Sequence, residues 1–365
     1  MNTNFYGALS GNNYKIWKHR INGSDFNTQH IHPKIMVDIS EKLSAEIYTC
    51  LSHDNLVSLI TAYIDYELYS AGDFGATNYN VKVGRFDVPF GYFNSIAINP
   101  VDQKSVSRPL MWVDHEQKDM ELNGGPSPIF MSPWTEIGAQ FYGTQWVRGQ
   151  KDQLWFGIYA INGLPQKGSK DIEWMAVPRM IKDNNGNKSI GGRVAYSFGD
   201  LCTAGVSYLS GKYDDDDELK YSIYGGDIHV ALGKSNLRFE YAANPVDWVK
   251  DSSSGKTEYT KTGWYAQFDA PFEQVFKKSN FAKKFEFVTM YSFLEQDKDK
   301  GNQTFLDLSR FSVGVNFSPV SALKFRCEYQ LTMPGDYNAT ASNVAKYGSE
   351  IKNLNRVQMD VGLAF

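Results

Sequence analysis

The chain has 365 residues, 42% of them hydrophobic and 15% aromatic, with a formal net charge of −4 at pH 7. That length fits either two soluble domains or one large barrel. The near balance of charge, with no basic stripe, argues against a nucleic-acid partner, and no stretch approaches the roughly 20 apolar residues that a spanning helix needs.

In chain order the sequence is a run of segments whose side chains alternate between apolar and polar, the period-2 pattern of strands with two unlike faces. A short first strand is expected over 4–10, then a polar loop to about residue 30. No basic stretch followed by an apolar one precedes it, so the sequence reads as a mature or trimmed form from which a secretory leader has been removed. In strand 2, Ile35, Val37 and Ile39 alternate with Lys34, Met36 and Asp38. Strand 3 is expected near 44–51 and strand 4 near 56–69, where Ile60, Ala62, Ile64, Tyr66 and Leu68 alternate with Thr61, Tyr63, Asp65 and Glu67. Strand 5 puts Tyr79, Val81 and Val83 outward; a slip at Gly84 is then expected to put Phe86, Val88 and Phe90 outward, as a β-bulge would.

The segment 95–133 shows no sustained alternation. Strands 6 and 7, joined at Gly149-Gln150, turn Ile137, Ala139 and Phe141, then Leu154, Phe156, Ile158 and Ala160, to one face. After a long loop over 164–188, strand 8 carries Val194, Tyr196 and Phe198, and strand 9 carries Val206 and Tyr208. An acidic tip over 214–218 leads to strand 10, with Ile228, Val230 and Leu232. In strand 11, Leu237, Phe239 and Tyr241 alternate with Arg238 and Glu240. Strand 12 shows Trp264, Ala266 and Phe268, strand 13 Phe285, Phe287, Tyr291 and Phe293, and strand 14 Phe311, Val313, Val315 and Phe317. Strand 15 alternates Leu323, Phe325, Cys327, Tyr329 and Leu331 with Lys324, Arg326, Glu328 and Gln330, and strand 16 ends the chain on Phe365.

About sixteen strands, an even number, joined by connections that mostly alternate short and long, match a bacterial outer-membrane barrel. The apolar face is aromatic and free of charge over many strands, whereas Arg or Lys facing lipid at mid-membrane costs roughly 2–4 kcal/mol. The expected fold is all-β: a transmembrane antiparallel β-barrel forming one domain over 1–365, with a pore-constricting loop at 95–133 after strand 5. Cys50, Cys202 and Cys327 each fall in a predicted strand and read as small wall residues rather than a disulfide framework or zinc cluster.

The run Val83-Gly84-Arg85-Phe86-Asp87-Val88-Pro89-Phe90-Gly91-Tyr92-Phe93-Asn94 resembles the G-R/Q-F-x-V-P-F-G segment of bacterial porins grouped with the phosphate-selective porins O and P, and Ser107-Arg108-Pro109-Leu110 is similar to the same group. The terminal Phe365 resembles the assembly signal of outer-membrane barrels, read by the barrel assembly machinery. The resemblance implies a homotrimer of sixteen-stranded barrels, each with a loop folded into its pore. A ladder of pore arginines and lysines, as in the phosphate-selective members, is not found, so phosphate selectivity does not follow.

The lumen face is where function is expected. Its predicted basic residues are Lys34, Lys82, Arg85, Arg193, Arg238, Lys284, Lys324, Arg326 and Arg356, and its predicted acids include Asp38, Glu46, Asp65, Glu67, Asp87, Asp227, Glu240, Glu286, Glu328 and Asp360. The near balance points to a polar aqueous channel without strong charge selection, although any one of these residues reads more simply as a salt-bridged wall residue that meets no solute. The constriction is expected from Asp102, Arg108, Asp114, Glu116, Asp119 and Glu121, with the acids opposite wall residues such as Arg326 and Arg356. Inward Tyr63, Tyr142, Trp155 and Tyr159 either stack against sugars or support the folded loop. Of six histidines only His229 lies well inside a predicted strand, and no Ser–His pair with an orienting partner stands out, so no enzyme activity, cofactor or metal is expected. His30-x-His32 lacks a third ligand, and the acidic tip reads as a solvated loop or a cation bridge to lipopolysaccharide. The expected function is a passive diffusion channel for small hydrophilic solutes or ions, in contact with outer-membrane lipid and lipopolysaccharide. The second reading is a structural barrel, either a sheath for a partner protein or an adhesin. The position of the 95–133 loop separates the two.

Overall fold

The computed structural model describes residues 3–11, 30–52, 57–72, 76–97, 103–113, 127–149, 151–167, 171–172, 185–249, 255–277, 279–297, 307–320, 323–335 and 354–364. Among them sixteen strands form a closed antiparallel barrel in sequence order. The strands are β1 Thr3–Gly11, β2 His30–Asp38, β3 Leu43–Ser52, β4 Val57–Ala71, β5 Thr77–Asp87, β6 Thr135–Val147, β7 Asp152–Ile161 and β8 Ser189–Phe198. They continue as β9 Cys202–Lys212, β10 Lys220–Leu232, β11 Ser235–Trp248, β12 Thr257–Pro271, β13 Phe285–Gln296, β14 Asp307–Val320, β15 Leu323–Pro334 and β16 Leu354–Ala364. The first strand closes on the last, with Leu9 opposite Leu363. Closure pairs the edge N–H and C=O groups that a bilayer could not satisfy. No helix among the described residues is long and apolar enough to cross a membrane.

One end of the barrel carries the short connections from β2 to β3, β6 to β7, β8 to β9, β10 to β11 and β14 to β15, and by the usual polarity of such barrels this is the periplasmic end. Gly199 and Gly233 occupy positive φ there, at 53° and 67°, which tight hairpins require. The 272–284 connection at the same end is longer. Its Phe281 packs tilted against Phe285 at 4.9 Å, and Phe285 stacks on Phe317 at 4.8 Å, an aromatic rim at the membrane edge. The outer face between the rims is apolar and uncovered: Ile158, Ile190 and Val206 are each more than 60% exposed. A band of this size on a closed barrel is a lipid-facing surface.

Two expectations are corrected. Lys284 does not face the lumen; it ends a short 3-10 turn, Ala282–Lys284, at the periplasmic rim and is exposed. Phe86, Val88 and Phe90 do not face lipid either, being at most 1% exposed within a core inside the barrel. Gly84, at φ 132°, keeps its pairing with Gly138, and Phe86 falls opposite lumen-facing Glu136. The bulges of the neighbouring strands lie elsewhere, between Tyr48 and Thr49 on β3 and between Glu67 and Tyr69 on β4. Parity separates apolar from polar surroundings, and here both sides of the strand end are apolar.

Candidate functional site

The interior of the barrel is organised by the chain between β5 and β6. Its described parts are rich in large apolar residues, which a solvated external loop would leave in water. They turn inward and build a core against the inner wall. Trp112 stacks on Phe130 with ring centroids 4.1 Å apart, Phe90 lies 4.9 Å from Phe130, and Phe93 lies 5.7 Å from Trp112. Tyr265 of β12, Met290 of β13 and Leu308 of β14 complete this core from the wall. A two-residue parallel pairing of Trp112 with Phe130 and Val113 with Met131 ties the two descending limbs together. Asn94 ties the start of the loop to its end: its amide donates to the carbonyls of Val88 and Trp134 at 2.8 and 2.9 Å and accepts from Trp134 N–H at 2.9 Å.

Two glutamates on the far wall receive the loop. Glu240 of β11 accepts from the N–H of Tyr92 at 3.1 Å, from the N–H of Phe93 at 2.9 Å and from Trp112 Nε1 at 2.9 Å. Gly91 passes so close that a Cβ there would lie 2.2 Å from Glu240 Oε1, and its φ is 63°, so glycine is required on two counts. Glu328 of β15 accepts from the hydroxyl of Ser105 and from the N–H groups of Val106 and Ser107 at 2.9 and 3.2 Å. Both carboxylates are buried, and burial of a carboxylate is tolerable only with such a set of donors.

Further bonds run along the same wall. Arg326 donates to the carbonyl of Gln103 at 2.9 Å, Asn316 to that of Lys104 at 2.9 Å, and Lys104 Nζ pairs with Glu286 at 2.7 Å. Lys261 of β12 donates to Ser127 Oγ at 2.6 Å. The loop thus crosses the lumen and covers the inner wall from β11 to β15, where Asn244, Lys261, Asp269 and Ser292 have no exposed surface.

Parts of the wall from β2 to β7 stay accessible, at Lys34, Asp65, Lys82, Tyr142 and Trp155, while Glu46, Thr61 and Tyr159 on the same strands are buried. Lys82 sits 3.6 Å from Asp65 Oδ2 and 4.2 Å from the centroid of the Tyr63 ring, with Tyr142 on its other side at 5.1 Å. Tyr142 donates to Asp65, and Lys34 pairs with Glu46 at 2.8 Å. Glu46 also accepts from Thr61 and Tyr63 at 2.7 and 2.9 Å. Toward the periplasmic end a cavity of about 420 Å³ opens, lined by Asp38, Glu41, Lys42, Ser44, Asp65, Glu67 and Asn80 together with Ser40 and Leu43. Lys82 neutralises Asp65 there, while Asp38 and Glu67 form no ion pair among the described residues.

Several of the basic wall residues expected from the sequence hold wall acids or the loop. Arg193 forms a two-pronged ion pair with Asp227 and also donates to Ser207 at 3.1 Å. Arg238 pairs with Asp269. Arg85 is buried and its Nε donates to Thr135 at 3.1 Å. Lys324 is half-buried opposite Gly362. Arg326 does not look across at acids, because the loop backbone lies against it. Arg108 donates to the carbonyl of Ser132 within the loop. Asp102, Asp114, Glu116, Asp119, Glu121, Phe365 and the side chain of Arg356 lie outside the described residues.

Tyr159 is buried in the loop core and offers no face to a solute, while Tyr142 and Trp155, 6.5 Å apart, remain partly open. His229 bonds Asn236 at 3.1 Å and packs 5.1 Å from the Tyr92 ring. In the acidic tip the Asp214 carboxylate accepts from the N–H of Glu218 at 2.9 Å and of Leu219 at 2.7 Å, closing the turn on itself. No group of three or more His, Cys, Asp or Glu that could hold a metal occurs among the described residues.

Alternation placed Glu240 and Glu328 on the lumen face, yet it gave no sign that they would anchor the loop. The one local signal was Gly91, a glycine in an otherwise bulky run, where the backbone approaches Glu240.

No protein-family model matches the chain, and no curated protein matches it in sequence. Solved structures do match in fold. The outer membrane channel DcaP of Acinetobacter baumannii aligns at 11% identity with a TM-score of 0.59, covering 100% of this chain and 97% of that one. OmpT, an outer membrane protein of Vibrio cholerae solved in a trimer form, aligns at 10% identity with a TM-score of 0.58, covering 100% and 99%. OmpF of Salmonella typhi aligns at 12% identity with a TM-score of 0.55, covering 100% and 97%. The chain therefore has the fold of the porin-like outer-membrane β-barrels.

Proposed function

We propose that the chain is a bacterial outer-membrane porin, a passive aqueous channel for small hydrophilic solutes or ions that carries out no reaction and uses no cofactor. The observation that carries this reading is the loop after β5. It crosses the lumen, is fastened to Glu240 and Glu328, and leaves part of the opposite wall open, with a cavity over β2 to β5. A sheath around a partner protein needs a free lumen, and this loop occupies it. The fold shared with a channel and with porins at full coverage supports the same reading, as does the apolar outer belt. A homotrimer follows by analogy with the trimer form of the Vibrio cholerae protein. Nothing in the loop or on the accessible wall favours phosphate selectivity, so the finer resemblance to the phosphate-selective group is not carried further.

Purified protein refolded in detergent is expected to migrate differently on gels with and without boiling, and to give discrete, ohmic steps in planar bilayers. A heat-modifiable barrel that inserts without conducting would overturn the channel reading and leave the fold intact. Phe365 is proposed to serve assembly rather than permeation. Its deletion is expected to lower the amount of inserted barrel while surviving channels keep their conductance; normal insertion with altered conductance would refute that role.

A further inference from the structure

We infer that the open part of the wall over β4 to β7 holds a subsite for a zwitterion, an α-amino acid with an aromatic side chain. The inference rests on the channel reading above for its route of access and names a solute class for it. It starts from two ion pairs that differ. Lys34 and Glu46 form a closed pair: they meet at 2.8 Å, and Glu46 takes two hydroxyls besides. Lys82 and Asp65 form an open one. Their separation of 3.6 Å is beyond hydrogen-bond length, and the Tyr142 hydroxyl already donates to the same carboxylate oxygen. Lys82 makes no hydrogen bond among the described residues, although an ammonium has three N–H groups to place. Its ammonium is packed between the rings of Tyr63 and Tyr142, at 4.2 and 5.1 Å, and its side chain keeps 19% of its surface open. The rings fix its position without supplying an acceptor, which leaves it able to take an anion.

The matching carboxylate lies one step along the strands. Glu67 follows Asp65 on the same face of β4, opposite Asn80, as Asp65 is opposite Lys82. It forms no ion pair among the described residues and borders the periplasmic cavity. Lys82 and Glu67 are thus diagonal neighbours, roughly 7–8 Å apart in a regular ladder. They do not bridge each other, and the gap suits an ammonium and a carboxylate carried on a single carbon, with the carboxylate at Lys82 and the ammonium at Glu67. A solute of one sign meets a like charge here as well as an opposite one. A zwitterion meets only opposite charges. An aromatic shelf adjoins the pair. Tyr142 of β6 stands beside Asn80, and Trp155 of β7 lies 6.5 Å from it with the ring planes 31° apart, both partly open. Gly157 makes room for this: a Cβ there would lie 2.8 Å from the Trp155 ring, so the indole rests against bare backbone. A zwitterion held at Lys82 and Glu67 has its side chain next to this shelf, where an aromatic ring gains most.

The test uses the folded barrel in detergent and ligand-observed NMR titrations with three probes. These are L-phenylalanine, 2-phenylethylamine, which lacks the carboxylate, and 3-phenylpropionate, which lacks the ammonium. L-phenylalanine is expected to bind about three- to five-fold more tightly than either analogue, as one partly exposed ion pair allows. Lys82→Gln is expected to bring it down to the level of 2-phenylethylamine, and Glu67→Gln to that of 3-phenylpropionate. Gly157→Ala, which displaces the indole, is expected to weaken L-phenylalanine about five-fold and to leave L-alanine unchanged. Heat-modifiable migration confirms that each variant is folded. Equal binding of 2-phenylethylamine overturns the inference in favour of a cation site, and equal binding of 3-phenylpropionate in favour of an anion site. Displacement of L-phenylalanine by equimolar maltose would make the shelf a sugar platform and overturns it too, as does the absence of saturable L-phenylalanine binding. A barrel that binds L-phenylalanine but does not conduct in planar bilayers refutes the channel reading and keeps the site. One that conducts without binding it refutes the site and keeps the channel.

Discussion

Replacing Glu240 and Glu328 together with alanine is expected to raise single-channel conductance and to make the open current noisy, with the barrel still heat-modifiable. Glu240 accepts from two loop N–H groups and the Trp112 indole, and Glu328 from two loop N–H groups and the Ser105 hydroxyl. Each buried donor left without an acceptor costs about 1–3 kcal/mol. The loop can relieve that cost by leaving the wall and hydrating its N–H groups, whereas the strand ladders lose nothing by staying. Opposing release is the aromatic core around Trp112 and Phe130, where each buried side chain contributes roughly 1.5–3 kcal/mol. The two terms are similar for one glutamate, so a single substitution should give partial release and the double substitution a larger, superadditive rise. The Glu328→Gln variant, which keeps one carbonyl acceptor, should fall between. Unchanged conductance in a folded double variant would mean that the loop is held by its apolar core alone.

Much of this architecture was legible in the sequence. Strand 15 announced itself through strict alternation, and the same alternation assigned Glu46, Asp65, Lys82, Arg193 and Arg238 to the interior, where each now pairs with a wall neighbour or a loop group. Period-2 reading works there because lipid and water are unlike solvents and each side chain must choose. It failed at Phe86, Val88 and Phe90, where the inside of the barrel is as apolar as the outside. It was also silent about the loop. The residues of 88–134 meet their partners more than a hundred positions away, as when Gly91 N–H reaches Ser207 Oγ at 3.2 Å, and no local period encodes such a contact. Taken singly, a lumen arginine reads from the sequence as a salt-bridged wall residue, and Arg193 against Asp227 is one; Arg326, expected opposite loop acids, lies instead against loop carbonyls, a reassignment visible only once distant strands are neighbours.

That reassignment changes the expected selectivity of the channel. Counted along the whole lumen the charges nearly balance, but a solute meets only the wall that the loop leaves open. On that wall Lys34 is neutralised by Glu46 and Lys82 by Asp65. Asp38 and Glu67 remain without a cationic partner among the described residues and line the cavity at the periplasmic end with Glu41 and the single further cation Lys42, so acids are in excess there. Wild type is therefore expected to prefer cations modestly. A unit charge 4 Å from a passing ion is worth about 1 kcal/mol even at the dielectric constant of water, which corresponds to roughly a five-fold change in a permeability ratio. Low-dielectric walls focus the field and raise that figure. The variant Asp38→Asn, Glu67→Gln should lose most of the cation preference, read as a reversal potential moved toward zero under a salt gradient near 0.1 M, where the Debye length is about 10 Å. Lys82→Met should move it the other way by releasing Asp65. Both shifts should largely vanish near 1 M salt, where the Debye length is about 3 Å. An anion preference in wild type, or a reversal potential untouched by the double neutralisation, would show that solutes take a path away from this wall.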